Sequence, residues 1–171
     1  PESATEVFEA SYGLDASANN GKVWEAGFPV DMYFRTDRTG GSNYLSDRIR
    51  GSINYLVPHG TQAESSVPYS DRLDNQTGVY STNPFNYSSG PTWAGWMFKR
   101  AKGFFDIAAY TGNYSANPQM PHGIGVAPEM IIAKSRDSVG QWYIKHTGMD
   151  NNKDIYFNAN AASPAAGWSA T

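Results

Sequence analysis

The chain has 171 residues and a formal net charge of −3; 40% of its residues are hydrophobic, 14% are aromatic and only 17% are charged. It has no basic stretch that would predict nucleic-acid binding, and because it has no cysteine, disulfides and thiolate metal sites are excluded. No apolar run reaches the roughly 18 residues that a membrane-spanning helix needs, so we expect neither nucleic acid nor a membrane as a partner.

Short apolar or aromatic runs bounded by turn residues predict β-strands along most of the chain. In chain order these runs are 7–12, 32–34, 93–98, 104–110, 130–133, 142–144 and 155–157. The last three follow one another at roughly 11–13 residues, a spacing typical of sandwiches and barrels. Helical periodicity occurs only in 46–56, where the central Gly51 favours a turn or one short helix. The polar stretch 60–91 predicts long loops with one weak strand. We therefore expect an all-β, antiparallel sandwich.

An internal repeat is the most specific feature of the sequence. Six pairs of similar residues are separated by 98 positions: Tyr12 and Tyr110, Gly27 and Gly125, Asp31 and Glu129, Met32 and Met130, Arg38 and Arg136, and Tyr44 and Trp142. The repeat predicts a first unit at 1–103 and a second at 104–171, which lacks a counterpart of 74–102. We expect this second unit to expose sheet edges, or to be completed from elsewhere.

Parts of the sequence resemble a known family. The stretch 27–32, followed by Arg35, Arg38 and 45–51, resembles a pattern in many phage tail-fibre-like proteins, although Pro29 stands one place early. The stretch 104–132 is similar to a repeated domain of uncharacterised function in virion proteins of marine and cyanobacterial phages. The resemblance implies a concanavalin-like or jelly-roll sandwich on the surface of a phage particle.

Two classes of function follow from this interpretation. The first is a structural virion protein, a module of a tail fibre or similar appendage, that assembles with other virion proteins or with copies of itself as a homo-oligomer; a capsid decoration protein is a variant of it. The second is a lectin-like module that binds a host surface glycan, since tyrosine rings stack on sugars. The candidate binding residues lie in turn-rich stretches: Tyr69, Tyr80, Tyr87 and Tyr114.

Catalytic and metal signals are weak. The three histidines, His59, His122 and His146, show no metal-ligand spacing, and no Gly-x-Ser-x-Gly motif is present. By residue type alone, a carboxylate pair for glycoside hydrolysis could come from Asp31, Asp47, Asp106 and Glu129. Calcium ligands could come from Asp71, Asp74, Asn75, Asp150, Asn151, Asn152 and Asp154. Structural or solvated acids explain both sets better, so we predict no enzyme, no catalytic residue and no cofactor.

Overall fold

The computed structural model describes residues 1–15, 22–38, 43–51, 53–66, 71–81, 92–112, 119–150, 153 and 155–159. Over these residues the chain forms β-strands and one 3-10 turn, Ala4–Glu6, and no α-helix. The strands are β1 (Phe8–Asp15), β2 (Lys22–Glu25), β3 (Met32–Asp37), β4 (Asn43–Asp47), β5 (Asn54–Tyr55), β6 (Ser65–Ser66), β7 (Gly78–Ser81), β8 (Thr92–Phe98), β9 (Met130–Ala133), β10 (Tyr143–His146) and β11 (Ile155–Tyr156). All of their pairings are antiparallel, which confirms the all-β prediction.

The largest sheet belongs to the first half of the chain and has the order β1-β8-β3-β4. The late strand β8 lies between two early ones, so closing this sheet brings together residues that are far apart in sequence. Strands β2 and β7 pair separately, as do β5 and β6. Leu56 extends the main sheet by one further bridge to Leu45.

One face of the main sheet forms the hydrophobic core with the β2–β7 pair. Tyr33, Trp93 and Met97 are buried on this face, and Trp24 of β2 and Val79 of β7 are buried against them. The rings of Trp24 and Tyr33 meet edge to face, with their centroids 5.3 Å apart. The remaining buried members of the cluster are Ala26, Phe28, Val30 and Leu73. The main sheet and the β2–β7 pair therefore share one hydrophobic core.

The second half contains a smaller sheet of the order β11-β10-β9. The strand predicted at 104–110 is absent, and the only pairing in that stretch is a bridge between Ala101 and Phe105. Phe105 packs its ring on Phe98 at 5.3 Å. The aromatic residues thus hold a tight turn against the end of β8 instead of a new strand.

The described residues of 46–56 form the end of β4, a turn at 48–50 and strand β5, and none of them is helical. Strand β4 continues to Asp47, whose carboxylate accepts the backbone N–H of Arg50 at 2.9 Å, and β5 follows at Asn54. The short side-chain acceptor fixes this turn locally. In the part of the chain that the structure describes, no helix is long and apolar enough to cross a membrane.

Candidate functional site

A joint between the two halves is formed by 57–64 of the first half and 136–142 of the second. The indole of Trp142 is buried, and its Nε1 donates to the carbonyl of Val57 at 3.1 Å. Two backbone bonds flank it: Gly140 N–H donates to Thr61 at 2.9 Å, and Glu64 N–H donates to Arg136 at 2.8 Å. The joint therefore combines a buried aromatic anchor with strand-like hydrogen bonds.

Alternating charges reinforce the joint. The guanidinium of Arg136 donates to both carboxylate oxygens of Glu64, at 2.7 and 2.9 Å, and this bonding raises the pKa of Arg136 above its usual value. Glu64 also lies 4.0 Å from Arg50, which forms a buried ion pair with Asp47 at 2.6 Å. A bidentate arginine–carboxylate pair fixes orientation as well as distance, so the second half is held at a defined angle to this loop.

A second connection lies where β8 leaves the main sheet. The carboxylate of Asp106 accepts hydrogen bonds from Arg100 Nε at 2.6 Å and from the backbone N–H of Gly123. Burial alone would raise the pKa of Asp106, but the bonds from Gly123, Arg100 and Ile107 together lower it below its usual value. Asp106 thereby ties the linker after β8 to the loop that leads into β9.

The two halves share a local structure around their first paired strands. Gly27 and Gly125 both adopt a left-handed conformation, with φ of 77° and 79°, which favours glycine. One residue before β3 and β9 begin, the same backbone bond forms: Arg48 N–H donates to Asp31 at 3.0 Å, and Thr147 N–H donates to Glu129 at 2.9 Å. These bonds start equivalent hairpins.

The pairing registers of these hairpins also correspond. Phe34 pairs with Leu45 and Leu45 with Leu56 in the first half. In the second half Ile132 pairs with Ile144 and Ile144 with Ile155. The matching positions are separated by 98 residues on the first strand and by 99 on the next two, so in these registers Tyr143, and not Trp142, corresponds to Tyr44.

The halves differ in what covers these strands. Strand β3 lies between β4 and β8, whereas β9 pairs only with β10 among the described residues. Met130 and Ile132 of β9 are accordingly 55% and 46% exposed. Val126 is 56% exposed, whereas Phe28, which stands 98 residues earlier, is 3% exposed in the core. Among the described residues, the second half therefore has a strand edge without a partner strand and an exposed apolar surface, which we call the β9 edge.

Of the tyrosines predicted to bind sugar, one lies in the described part of the chain. Tyr80 is in β7, half-buried, where it pairs with Val23 and exchanges backbone hydrogen bonds with Arg72. The others, Tyr69, Tyr87 and Tyr114, lie outside the described residues, so the predicted set stays a prediction.

Several of the acidic candidates take part in folding contacts, whereas the carboxylate of Glu129 is exposed. Asp71 forms a buried ion pair with Arg35, whose guanidinium lies over the rings of Tyr44 and Trp93, 5.0 and 5.2 Å from their centroids. Asp31 accepts the backbone N–H of Arg100 at 2.7 Å and pairs with Arg48 at 3.2 Å. Asn151, Asn152 and Asp154 lie outside the described residues. Within the described ranges, no group of three or more histidines and acids could hold a metal ion.

The histidines are dispersed as well. His59 lies 3.2 Å from the amide of Asn43, His146 accepts the backbone N–H of Gly148 at 3.0 Å, and His122 is exposed. The joint, by contrast, was not predicted from the sequence. Its one signal is Arg136, which belongs to the repeat but whose partner Glu64 falls in the stretch interpreted as loops.

Comparison with known proteins gives one match. Residues 98–171 match a family model described as a domain of unknown function, DUF7483. No curated protein and no solved structure gives a significant match to the chain. The matched residues begin at the last residue of β8 and include β9, β10 and β11.

Proposed function

We propose that the chain is a non-enzymatic structural module of a bacteriophage particle, part of a tail fibre or similar surface appendage, that joins sandwich units end to end. The observation that carries the proposal is the joint made by Trp142, Arg136 and Glu64. A buried aromatic anchor beside a bidentate ion pair sets the angle between two units, which is what a fibre or collar requires of its modules.

The proposal includes an internal repeat of about 98 residues. Its support is the pair of left-handed glycines, Gly27 and Gly125, the equivalent bonds to Asp31 and Glu129, and the matching registers of the two meanders. In the first unit, 1–103, two layers enclose the core in the manner of a sandwich. The second unit, 104–171, carries the counterpart of only part of that sandwich.

A structural role also accounts for the acidic side chains. Asp31, Asp47 and Asp106 are engaged with arginines. A glycosidase instead needs one carboxyl group that is free to donate a proton and a second that attacks or activates water. The proposed partners are other virion proteins or copies of the same chain in a homo-oligomer, and no cofactor is required.

Immunogold electron microscopy of particles of the phage whose genome encodes the chain tests this proposal. An antiserum raised against the chain should label an appendage, and pre-immune serum should not. Label distributed over the head would favour the capsid decoration protein. Particles that carry neither label nor peptides of the chain in mass spectra would contradict the proposal.

The carbohydrate-binding alternative predicts a different result. If the chain recognises a host glycan, the isolated chain should bind sugars on a glycan array, and Tyr80→Ala should weaken that binding. Tyr55→Ala is the control, because Tyr55 is also half-buried in a strand, where it packs on Tyr44. Binding that Tyr80→Ala abolishes and Tyr55→Ala spares would favour the lectin-like function.

A further inference from the structure

We propose that the β9 edge is an acceptor site for an extended peptide segment that resembles β8, with large apolar residues at alternate positions, an interior glycine and a basic end. This inference rests on the proposed repeat and not on the location of the chain in a virion. It names the occupant of the surface that the second half leaves uncovered.

Backbone hydrogen bonding shows that the β9 edge can pair. The carbonyl of Glu129 faces β10, because it accepts the N–H of Thr147. In an antiparallel ladder the backbone groups alternate in direction, so the N–H and C=O groups of Ile131 and Ala133 also face β10. Met130 and Ile132 then direct their N–H and C=O groups away from β10. By the same alternation, the backbone N–H and C=O groups of Met32 and Phe34 in β3 face β8. The two strands therefore present equivalent rows of donors and acceptors.

Side chains at the edge indicate what the incoming strand contains. In the first half Phe34 stacks on Trp96 of β8, with centroids 5.0 Å apart and planes inclined by 22°, and Met32 pairs with Phe98. Their counterparts Ile132 and Met130 are among the exposed large hydrophobic residues. Aromatic side chains at the matching positions of an added strand would cover both of them.

Charge at the end of the edge favours a basic segment. The carboxylate of Asp31 accepts the backbone N–H of Arg100, just beyond β8. Glu129 occupies the equivalent position before β9, is exposed, and has no bonded partner for its carboxylate among the described residues. By this equivalence Glu129 would accept a backbone N–H at the end of an incoming strand, as Asp31 does, and its negative charge would attract basic residues at that end.

Strand β8 of a second copy does not supply the segment, because β8 is already paired with β1 on one side and β3 on the other. The occupant is therefore a segment that is not part of a formed sheet. Adding such a strand to an exposed edge is a known mode of peptide recognition, in which backbone bonds give affinity and alternate side chains give specificity.

The test uses the full chain and a synthetic peptide that copies residues 92–100. We expect saturable binding by fluorescence anisotropy, and slower hydrogen exchange at the amides of Met130 and Ile132 but not at Met32 and Phe34. Two methylated peptides form a matched pair. N-methylation at Trp96, whose amide faces the acceptor strand in β8, should weaken binding at least tenfold, whereas N-methylation at Met97, which faces the other way, should leave it unchanged.

Variants of the chain complete the test. Ile132→Pro removes a donor from the free edge without removing a bond to β10, and should weaken peptide binding about tenfold. Glu129→Ala should weaken it about threefold. Equal binding of the two methylated peptides, or protection at β3 instead of β9, would overturn the proposal. Self-association of the chain that Ile132→Pro abolishes would also overturn it, in favour of edge pairing between copies. None of these results depends on where the chain lies in a particle.

Discussion

Gly95 lies in the middle of β8 with the ring of Tyr33 and the indole of Trp24 against its Cα. A Cβ at this position would lie 2.8 Å from the Tyr33 ring and 2.9 Å from the indole. Both rings are buried in the core and cannot move away. We expect Gly95→Ala to lower the free energy of unfolding by about 1–3 kcal/mol, measured by urea denaturation.

The control is Gly112→Ala, because a Cβ at Gly112 would have no atom within 4 Å. That variant should change the unfolding free energy by less than about 0.5 kcal/mol. Equal effects of the two substitutions would show that the fit between Gly95 and the two rings does not limit stability.

The carboxylate of Asp106 gives the chain a pH-dependent contribution to stability. Its pKa is lower in the folded chain than its usual value because Gly123 and Arg100 bond to the charged form. A carboxyl group whose pKa is lowered by folding stabilises the folded state at pH values above its pKa in the unfolded chain. This stabilisation is lost as the pH falls through the pKa of the group in the folded chain. The wild type should therefore have a higher free energy of unfolding than Asp106→Asn near pH 7, and the difference between the two should shrink below about pH 4.

A control for this pH series is Asp150→Asn, because the side chain of Asp150 is 78% exposed while that of Asp106 is 8% exposed. The Asp150→Asn variant should have the same free energy of unfolding as the wild type at every pH. A constant gap between wild type and Asp106→Asn across the acid range would contradict the assignment.

At the scale of elements, the joint between 57–64 and 136–142 is a contact that two loops form, and not two paired strands. The bidentate pair of Arg136 and Glu64 should show a coupling free energy of about 1 kcal/mol in a double-mutant cycle of alanine substitutions. The exposed pair of Lys153 and Asp150, at 3.5 Å, provides a reference cycle with a coupling near zero. Equal couplings in the two cycles would mean that the bidentate geometry adds nothing to the joint.

The sequence predicted strands where aromatic or branched residues form short runs, as in β8, β9 and β10. It missed β2 and β4, because in Lys22–Glu25 and Asn43–Asp47 only two consecutive apolar or aromatic residues stand between polar ones, and these segments form strands by pairing with β7 and β3. It wrongly predicted a strand at 104–110, where Phe105 packs on Phe98 and Asp106 holds the turn. The secondary structure of these segments depends on tertiary contacts, and such contacts produce no periodic pattern in the sequence.

The joint could not be predicted for a related reason. Glu64 and Arg136 are 72 residues apart, and both lie in stretches whose composition indicates solvated loops. Only the repeat offered a hint, since it placed Arg136 at a position equivalent to Arg38. The β9 edge, by contrast, agrees with the expectation that 104–171 lacks a counterpart of 74–102 and would expose sheet edges, although the repeat itself stays a prediction.

At the scale of the whole molecule, the two halves are unequal. The first half has a core of buried aromatic and branched residues that the main sheet and the β2–β7 pair share. The described part of the second half has a three-stranded sheet whose strands expose Met130, Ile132 and Ile155. A sheet with so little buried apolar surface gains its stability from its attachments, which are Trp142 at the joint and Asp106 at the linker.

Native-state hydrogen exchange should therefore resolve two levels of opening. Amides of β9 and β10 should exchange through a local unfolding that costs less free energy than the opening of β1, β3 and β8.

Trp142→Ala removes the buried indole and its bond to Val57, so it should lower the opening free energy of the second sheet by about 3 kcal/mol and leave the main sheet unchanged. Tyr143→Ala serves as the comparison, because the neighbouring Tyr143 is exposed and makes its ring contact within the second sheet, with Tyr156. Its effect on that sheet should be smaller. A Trp142→Ala variant in which both sheets lose protection equally would show that the two halves unfold as one cooperative unit and that the joint belongs to a single core.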